Sequence, residues 1–309
     1  MLRELFLTLS HSKTARSFIT GFPVARRVSS RFVAGITIAD EIKAMRELNR
    51  RGMKVTADHL GENVSTEADA TRAADDYIQL LDAIASDGVT SHVSLKLTQF
   101  GLDLGTGVCF ANLRRVLDRA KVIGTFVRVD MESTDYTERT LTLVRAAKDA
   151  GCDNVGTVIQ SYLYRSEADI AALIEDGIRV RLCKGAYQEP PDKAFPNKKN
   201  VDANFVKLSH MLLAAAKQNP DLYPAIATHD EKMVSAARQF ARSNGVPRSN
   251  FEFQMLYGIR RELQDSLLAE GYNVRVYVPY GAEWYPYFMR RLAERPANLW
   301  FFVSNFLRR

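Results

Sequence analysis

The 309-residue sequence predicts an α/β protein built on a (β/α)8 barrel, with helices ahead of it and an extra helix after the eighth strand. Three observations carry that reading. From Lys54 onward, a short apolar, β-branched run, a few polar residues and an amphipathic stretch recur eight times. Strands separated by helices must run parallel, and eight such units in roughly 255 residues suit a closed barrel better than an open doubly wound sheet, the structural alternative. Each run also ends on polar residues, where a barrel of this kind gathers its chemistry.

Taken in order, residues 1–34 read as helical, and residues 38–51 (IADEIKAMRELNRR) as a helix stopped at Gly52. The strands are KVTADHL from Lys54, HVSLKLT from His92, TFVRVDME from Thr125, NVGTVIQ from Asn154, IRVRLCK from Ile178, PAIATHD from Pro224, FEFQML from Phe251 and VRVYVPY from Val274. Helical spacing of apolar residues lies between them at 73–84, 113–122, 141–150, 205–216 and 233–241. Two further helical pieces, 284–294 and 298–307, are split by Pro296. The chain therefore divides into a flank, residues 1–51, and a barrel, residues 52–309.

The formal charge of +6 sits in that flank: residues 1–51 hold ten Lys/Arg and four Asp/Glu, whereas residues 52–309 hold 32 of each. With no acidic residue between Glu4 and Asp40, the flank fits an organellar transit peptide and also a basic helical prelude. No apolar run approaches the roughly 18 residues of a membrane span, and no secretory h-region is visible, so a cytoplasmic location is expected. Cys109, Cys152 and Cys183 are odd in number and widely spaced, which suits a reducing compartment and no metal site. Neither a dinucleotide glycine fingerprint nor a P-loop occurs, and no nucleic-acid-binding module accompanies the basic charge.

The strand ends supply Asp58, Lys96 with Thr98, Asp130 with Glu132, Gln160, Arg181 with Lys184, Thr228 with His229, Gln254 and Tyr277. A strand interior facing a barrel core is expected to be apolar, so Lys96, Asp130, Gln160 and Arg181 stand out. After strand eight, Tyr287, Arg290, Arg291 and Glu294 recur at helical spacing. That spacing fits a solvated, salt-bridged face with Arg290 and Glu294 paired. It equally fits a carboxylate clamp of guanidinium forks completed by Lys96. On the residues alone, a Schiff-base aldolase using Lys96 or Lys184 and a non-enzymatic amino-acid-binding barrel also stay open.

Ten ordered segments resemble the proline dehydrogenases, both the monofunctional bacterial enzymes and the corresponding domain of proline utilization A. They are RFVAG at 31, LGE at 60, VSLKLTQFG at 93, VDME at 129, VIQSYL at 158, RLCKGAY at 181, ATHD at 227, FEFQMLYG at 251, RVYVPYG at 275 and RRLAE at 290. The resemblance implies a distorted (β/α)8 barrel holding FAD non-covalently, oxidation of L-proline to Δ1-pyrroline-5-carboxylate, and a quinone as electron acceptor. It implies that Lys96, Arg290 and Arg291 bind the substrate carboxylate, with Tyr187, Leu256, Tyr277 and Tyr287 walling the proline pocket. Asp130 and Arg181 would stand in the reactive centre, and Met131, Gln160, Arg181, Lys184, Gly185, Ala186, Thr228 and His229 would contact FAD. A membrane quinone would make the acid-free flank a peripheral contact for the anionic inner face of the cell membrane. Gln188, after Tyr187, departs from the family pattern and leaves the loop after strand five open.

Overall fold

Eight parallel strands pair in sequence order and the eighth returns to the first, closing the barrel. They are β1 (Lys54–His59), β2 (Ser91–Leu95), β3 (Val127–Val129), β4 (Val155–Gln160), β5 (Arg179–Cys183), β6 (Ala225–Ala227), β7 (Glu252–Leu256) and β8 (Asn273–Tyr280). This computed structural model describes residues 29–61 and 64–294; the predicted helix at 298–307 and most of the basic flank lie outside the described residues. Six of the eight strands fall within the predicted runs, and β2 and β8 start one residue ahead of theirs. The open sheet is thereby excluded.

The helices are α1 (Ile38–Arg50), α2 (Glu67–Asp87), α3 (Thr106–Val122), α4 (Thr134–Asp149), α5 (Ser166–Glu175), α6 (Lys198–Gln218), α7 (Glu231–Ser243), α8 (Arg261–Ala269) and α9 (Trp284–Glu294). Several begin well before their apolar stripes. In α2 the stripe predicted from residue 73 is preceded by a capping box, in which Thr66 accepts from Asp69 N and the Asp69 carboxylate accepts from Thr66 N. A cap satisfies otherwise orphaned N–H groups, so the helix starts where the cap is, not where burial begins. Thr37 and Asp40 start α1 in the same way.

The flank helix α1 packs against β8, β1 and α2. It thus fills the place in the outer helix ring that a helix following β8 would ordinarily take. The chain after β8 instead stays at the C-terminal end of the barrel, where Leu60 N donates to Tyr280 O at 2.8 Å, Ala34 N to Pro279 O at 2.9 Å and Gly281 N to Gly35 O at 3.0 Å. From that knot α9 begins, with Phe288 against Phe32 at 6.3 Å between ring centroids.

One expectation fails. Between strands and helices the core is aliphatic and aromatic, but the inside of the barrel is polar and charged along its length rather than apolar. Below the mouth, Arg275 Nε donates to Glu252 Oε1 at 2.7 Å and Arg128 Nη1 to Thr157 O at 2.9 Å, all four residues being buried. Lys54 Nζ meets Tyr223 OH at 2.8 Å, and Arg179 lies 5.2 Å from the Phe126 ring centroid. Burial, and then Arg275 and Arg128, push the His92 imidazole well below its ordinary pKa, so it stays neutral. Strand alternation carries this pattern: Arg128 and Asp130, Arg179 and Arg181, and Glu252 and Gln254 are each two apart, so each couple points to one face. None of the described helices is long and apolar enough to cross a membrane. The cysteines are free, Cys109 and Cys152 buried and Cys183 half-buried.

Glu41 of α1 is fully buried, and neither of its carboxylate oxygens has a hydrogen-bond partner among the described residues. Burial, and then the nearby Asp58, hold its pKa well above the ordinary 4.5. Above that value the unfolded chain releases this proton while the folded chain keeps it, so the group's contribution to stability falls as pH rises. Glu41→Gln removes the titration. Its melting temperature relative to the parent chain should therefore improve progressively from pH 4 to pH 8, measured by thermal denaturation; a pH-independent difference would contradict the buried neutral acid.

Candidate active site

At the C-terminal mouth the strand ends converge on Asp130, which is 7% exposed and follows β3. Its Oδ1 accepts from Ser94 Oγ and from Arg181 Nη2, and its Oδ2 from the Tyr277 hydroxyl at 2.9 Å. The three donors come from β2, β5 and β8, so one carboxylate ties distant staves together. Arg181 also lies over the Tyr277 ring, with Cζ 5.2 Å from the centroid. Desolvation works against the Arg181 cation, but Asp130 and Tyr277 outweigh it and hold its pKa above the ordinary value. Burial and Asp130 push the Tyr277 phenol well up, which keeps it a donor.

Lys96 follows β2 and lies 3.8 Å from the buried Asp58 carboxylate of β1. Beside it, Thr98 Oγ1 donates to Glu132 at 2.8 Å. The Gln160 amide at the end of β4 donates to Glu132 O at 3.3 Å, so its Oε1, buried and without a hydrogen-bond partner among the described residues, is the remaining acceptor. Met131 is buried nearby in sequence, and Leu256 half-buried at the end of β7. In α9, Arg291 lies 5.0 Å from the centroid of the buried Tyr287 ring, and Arg290 is half-buried beside it.

A second group gathers after β5 and β6. Lys184 Nζ bridges Asp202 at 2.5 Å and Asp230 at 2.7 Å. Burial raises both carboxyls, but Lys184 and Lys198 overcome it and hold them below the ordinary range. His229 Nε2 accepts from Leu256 N at 2.9 Å, and Thr228 Oγ1 accepts from Asp230 N at 3.1 Å. Alongside, an open cleft of about 600 Å³ is lined by His229, Asp230, Lys232, Ser235 and Arg260 among others. Gly185 has φ +111, and a Cβ there would come within 2.4 Å of the Tyr162 ring, so only glycine lets this loop lie flat. Ala186 and Tyr187 continue it into solvent, Tyr187 being 42% exposed.

Among the strand-end residues, Asp130, Arg181 and Tyr277 thus form one group and Lys184, Thr228 and His229 a second, while Lys96 stands with Asp58, and Thr98 and Gln160 with Glu132. Tyr187 stands in the loop outside both. Ser94 was legible as a polar residue two before Lys96 on the same strand face. Asp202 and Arg260 were not: they come from α6 and from the turn before α8, and no spacing links them to Lys184 or His229. Among the described residues no group of His, Cys, Asp and Glu could hold a metal ion.

A closed parallel barrel with buried ion pairs and an unsatisfied acceptor at its C-terminal mouth defines a (β/α)8-barrel enzyme. A model of the family described as "Proline dehydrogenase" matches residues 41–304. Proline dehydrogenase 1 of Bacillus subtilis (strain 168) is 42% identical over 309 residues, 100% of each chain, and the proline dehydrogenase of Deinococcus radiodurans is 42% identical over 285 residues, 91% of this chain and 90% of its own. Among solved structures, proline utilization A from Bdellovibrio bacteriovorus inactivated by N-propargylglycine superposes with a TM-score of 0.81 at 26% identity, covering 87% of this chain and 33% of that one. The chain belongs to the proline dehydrogenase family, and its activity is that of a proline dehydrogenase, an oxidoreductase of proline catabolism.

Tyr277→Phe deletes a hydrogen bond to a buried carboxylate while leaving the ring beneath Arg181. The loss expected is about 1.5–3 kcal/mol of folding stability. Denaturant unfolding checks it, and a variant as stable as the parent would show that the bond contributes nothing.

Proposed function

We propose that the chain oxidises L-proline to Δ1-pyrroline-5-carboxylate with non-covalently bound FAD and passes the electrons to a quinone. The observation that carries the reading is the interlocked Asp130, Arg181 and Tyr277 at the strand ends, and Lys96 after β2 with Arg290 and Arg291 of α9 are the cations proposed to meet a carboxylate there. FAD, when bound, would supply the acceptor for the hydride leaving proline C5. The residues suit the group. The buried Gln160 Oε1 wants an N–H donor, the flat loop at Gly185 admits close approach, and Lys184, Thr228 and His229 offer polar contacts beside a cleft roomy enough for a nucleotide. Met131 and Ala186 complete the set that would hold it.

Lys96, Arg290 and Arg291 bind the proline carboxylate in this reading, because guanidinium forks match a planar anion. Tyr187, Leu256, Tyr277 and Tyr287 confine the ring, so that orientation rather than proton transfer is the main contribution of these side chains. Arg181 stabilises negative charge developing at the reaction centre. Asp130 holds Arg181 and Tyr277 in place, and its oxygens are already committed to three donors. A Schiff-base mechanism is less well supported, since Lys184 is bridged by two carboxylates and Lys96 sits beside Asp58. With a membrane quinone as acceptor, residues 5–39 are the peripheral contact for anionic lipid; equal liposome co-sedimentation with and without them would refute that.

Anaerobic addition of L-proline to FAD-loaded protein should bleach the flavin absorbance. Protein that binds no FAD, or holds it unbleached, would overturn the proposal. Arg291→Met should raise the proline KM by about one to two decades, the cost of a charge-assisted contact, with flavin content unchanged. An unaltered KM in steady-state kinetics would remove Arg291 from the clamp.

A further inference from the structure

Three ion pairs inside the barrel are internally neutral: Lys96 with Asp58, Arg181 with Asp130, and Arg275 with Glu252. Arg128 is different. It is 4% exposed, and among the described residues no carboxylate lies within ion-pair distance of it. Its Nη1 is satisfied by two carbonyls, Thr157 O at 2.9 Å and Arg179 O at 2.6 Å, and its guanidinium lies 4.8 Å from the Phe126 ring centroid. Burial, and then Arg181, push its pKa down to about 9, which still leaves it a cation at neutral pH.

A buried cation without a counter-ion loses its hydration with nothing to replace it, so it is an unfavourable way to fill a barrel. The surrounding fold nevertheless makes room for it. At Gly156, level with Arg128 on the neighbouring strand, a Cβ would meet Arg128 Nη1 at 2.8 Å and Arg179 O at 2.5 Å. Strand alternation puts Arg128 on the same face as Asp130 and one layer, about 6.6 Å, further from the mouth. Since the pairs above and beside it cancel, Arg128 is the principal fully buried source of uncompensated positive field along the axis.

We propose that Arg128, touching neither substrate nor cofactor, is a field-setting residue that raises the reduction potential of flavin held at the barrel mouth. The inference rests on the FAD reading above. Taking up a hydride, two electrons and one proton, adds one negative charge to the bound flavin, and a fixed cation below favours that product. No proton leaves Arg128.

The test is an equilibrium titration of the FAD-loaded protein against reference redox dyes, comparing Arg128→Met, Arg128→Lys and Glu252→Gln with the parent chain. In Arg128→Met the ratio of reduced to oxidised flavin at fixed potential should fall about tenfold, the size expected of a unit charge on the order of 10 Å away at an effective dielectric of about 20. Arg128→Lys keeps the charge and should stay near the parent value. Glu252→Gln removes a negative charge from the neighbouring pair and should shift the ratio the opposite way, so the sign is tested even if Arg128→Met does not fold. An unchanged ratio in Arg128→Met, equal falls in the Met and Lys variants, or no rise in Glu252→Gln would overturn the inference. A parent chain that binds no FAD, or is not bleached by L-proline, would instead overturn the FAD reading and this inference with it.

Discussion

Charge buried inside a closed barrel has no water to solvate it, and that constraint organises this molecule. An unpaired buried ion costs several kcal/mol, so cations and carboxylates on the strands must meet across the barrel or be satisfied by carbonyls. Asp130 shows how strict the matching is: its two oxygens take donors from β2, β5 and β8, and no single neighbouring strand could supply them. Barrel closure and the ion pairs therefore depend on each other. Opening the sheet between any two of those strands would strand a charge.

The same arrangement supports chemistry at the mouth. A side chain locked by several hydrogen bonds cannot reorganise when a charged ligand arrives, and a fixed dipole or cation in a water-poor site acts more strongly than one in solvent. Arg181 is held from one side by Asp130 and covered by Tyr277, and so meets both conditions. The Lys184 group is looser. It is only partly buried, its partners are Asp202 of α6 and Asp230 at the N-cap of α7, and it borders the open cleft beside His229, which suits recognition of a large polar ligand more than control of a reacting atom.

Access to the mouth depends on an exchange of helices. Because α1, from ahead of the barrel, packs on β8 and β1, the segment after β8 need not cover them. It can start α9 at the C-terminal end, where Phe32 and Phe288 meet and where Arg290 and Arg291 are carried. The flank thereby contributes to the site indirectly, through the room it leaves. Glu41, buried in this packing without a hydrogen-bond partner among the described residues, marks what the exchange costs in stability.

The eight strands, their parallel sense and the polar strand ends were readable in the chain because periodicity two and periodicity 3.6 are local properties of sequence. Arg128 and Arg275 were also visible as charges in apolar runs, yet the expectation of an apolar barrel interior hid their meaning: which face of a strand points inward is set by closure. The start of α2 was misplaced because Thr66 caps it outside its buried stripe, whereas α1 begins at Ile38 as its spacing predicts. The sequence by itself determined the order of elements, the barrel class and the candidate residues at each strand end. Only the tertiary structure decided that Asp130 joins Ser94, Arg181 and Tyr277, that Lys184 joins Asp202 and Asp230, and that Arg128 has no counter-ion among the described residues, because charge pairing across a barrel depends on distances between strands that no spacing along the chain encodes.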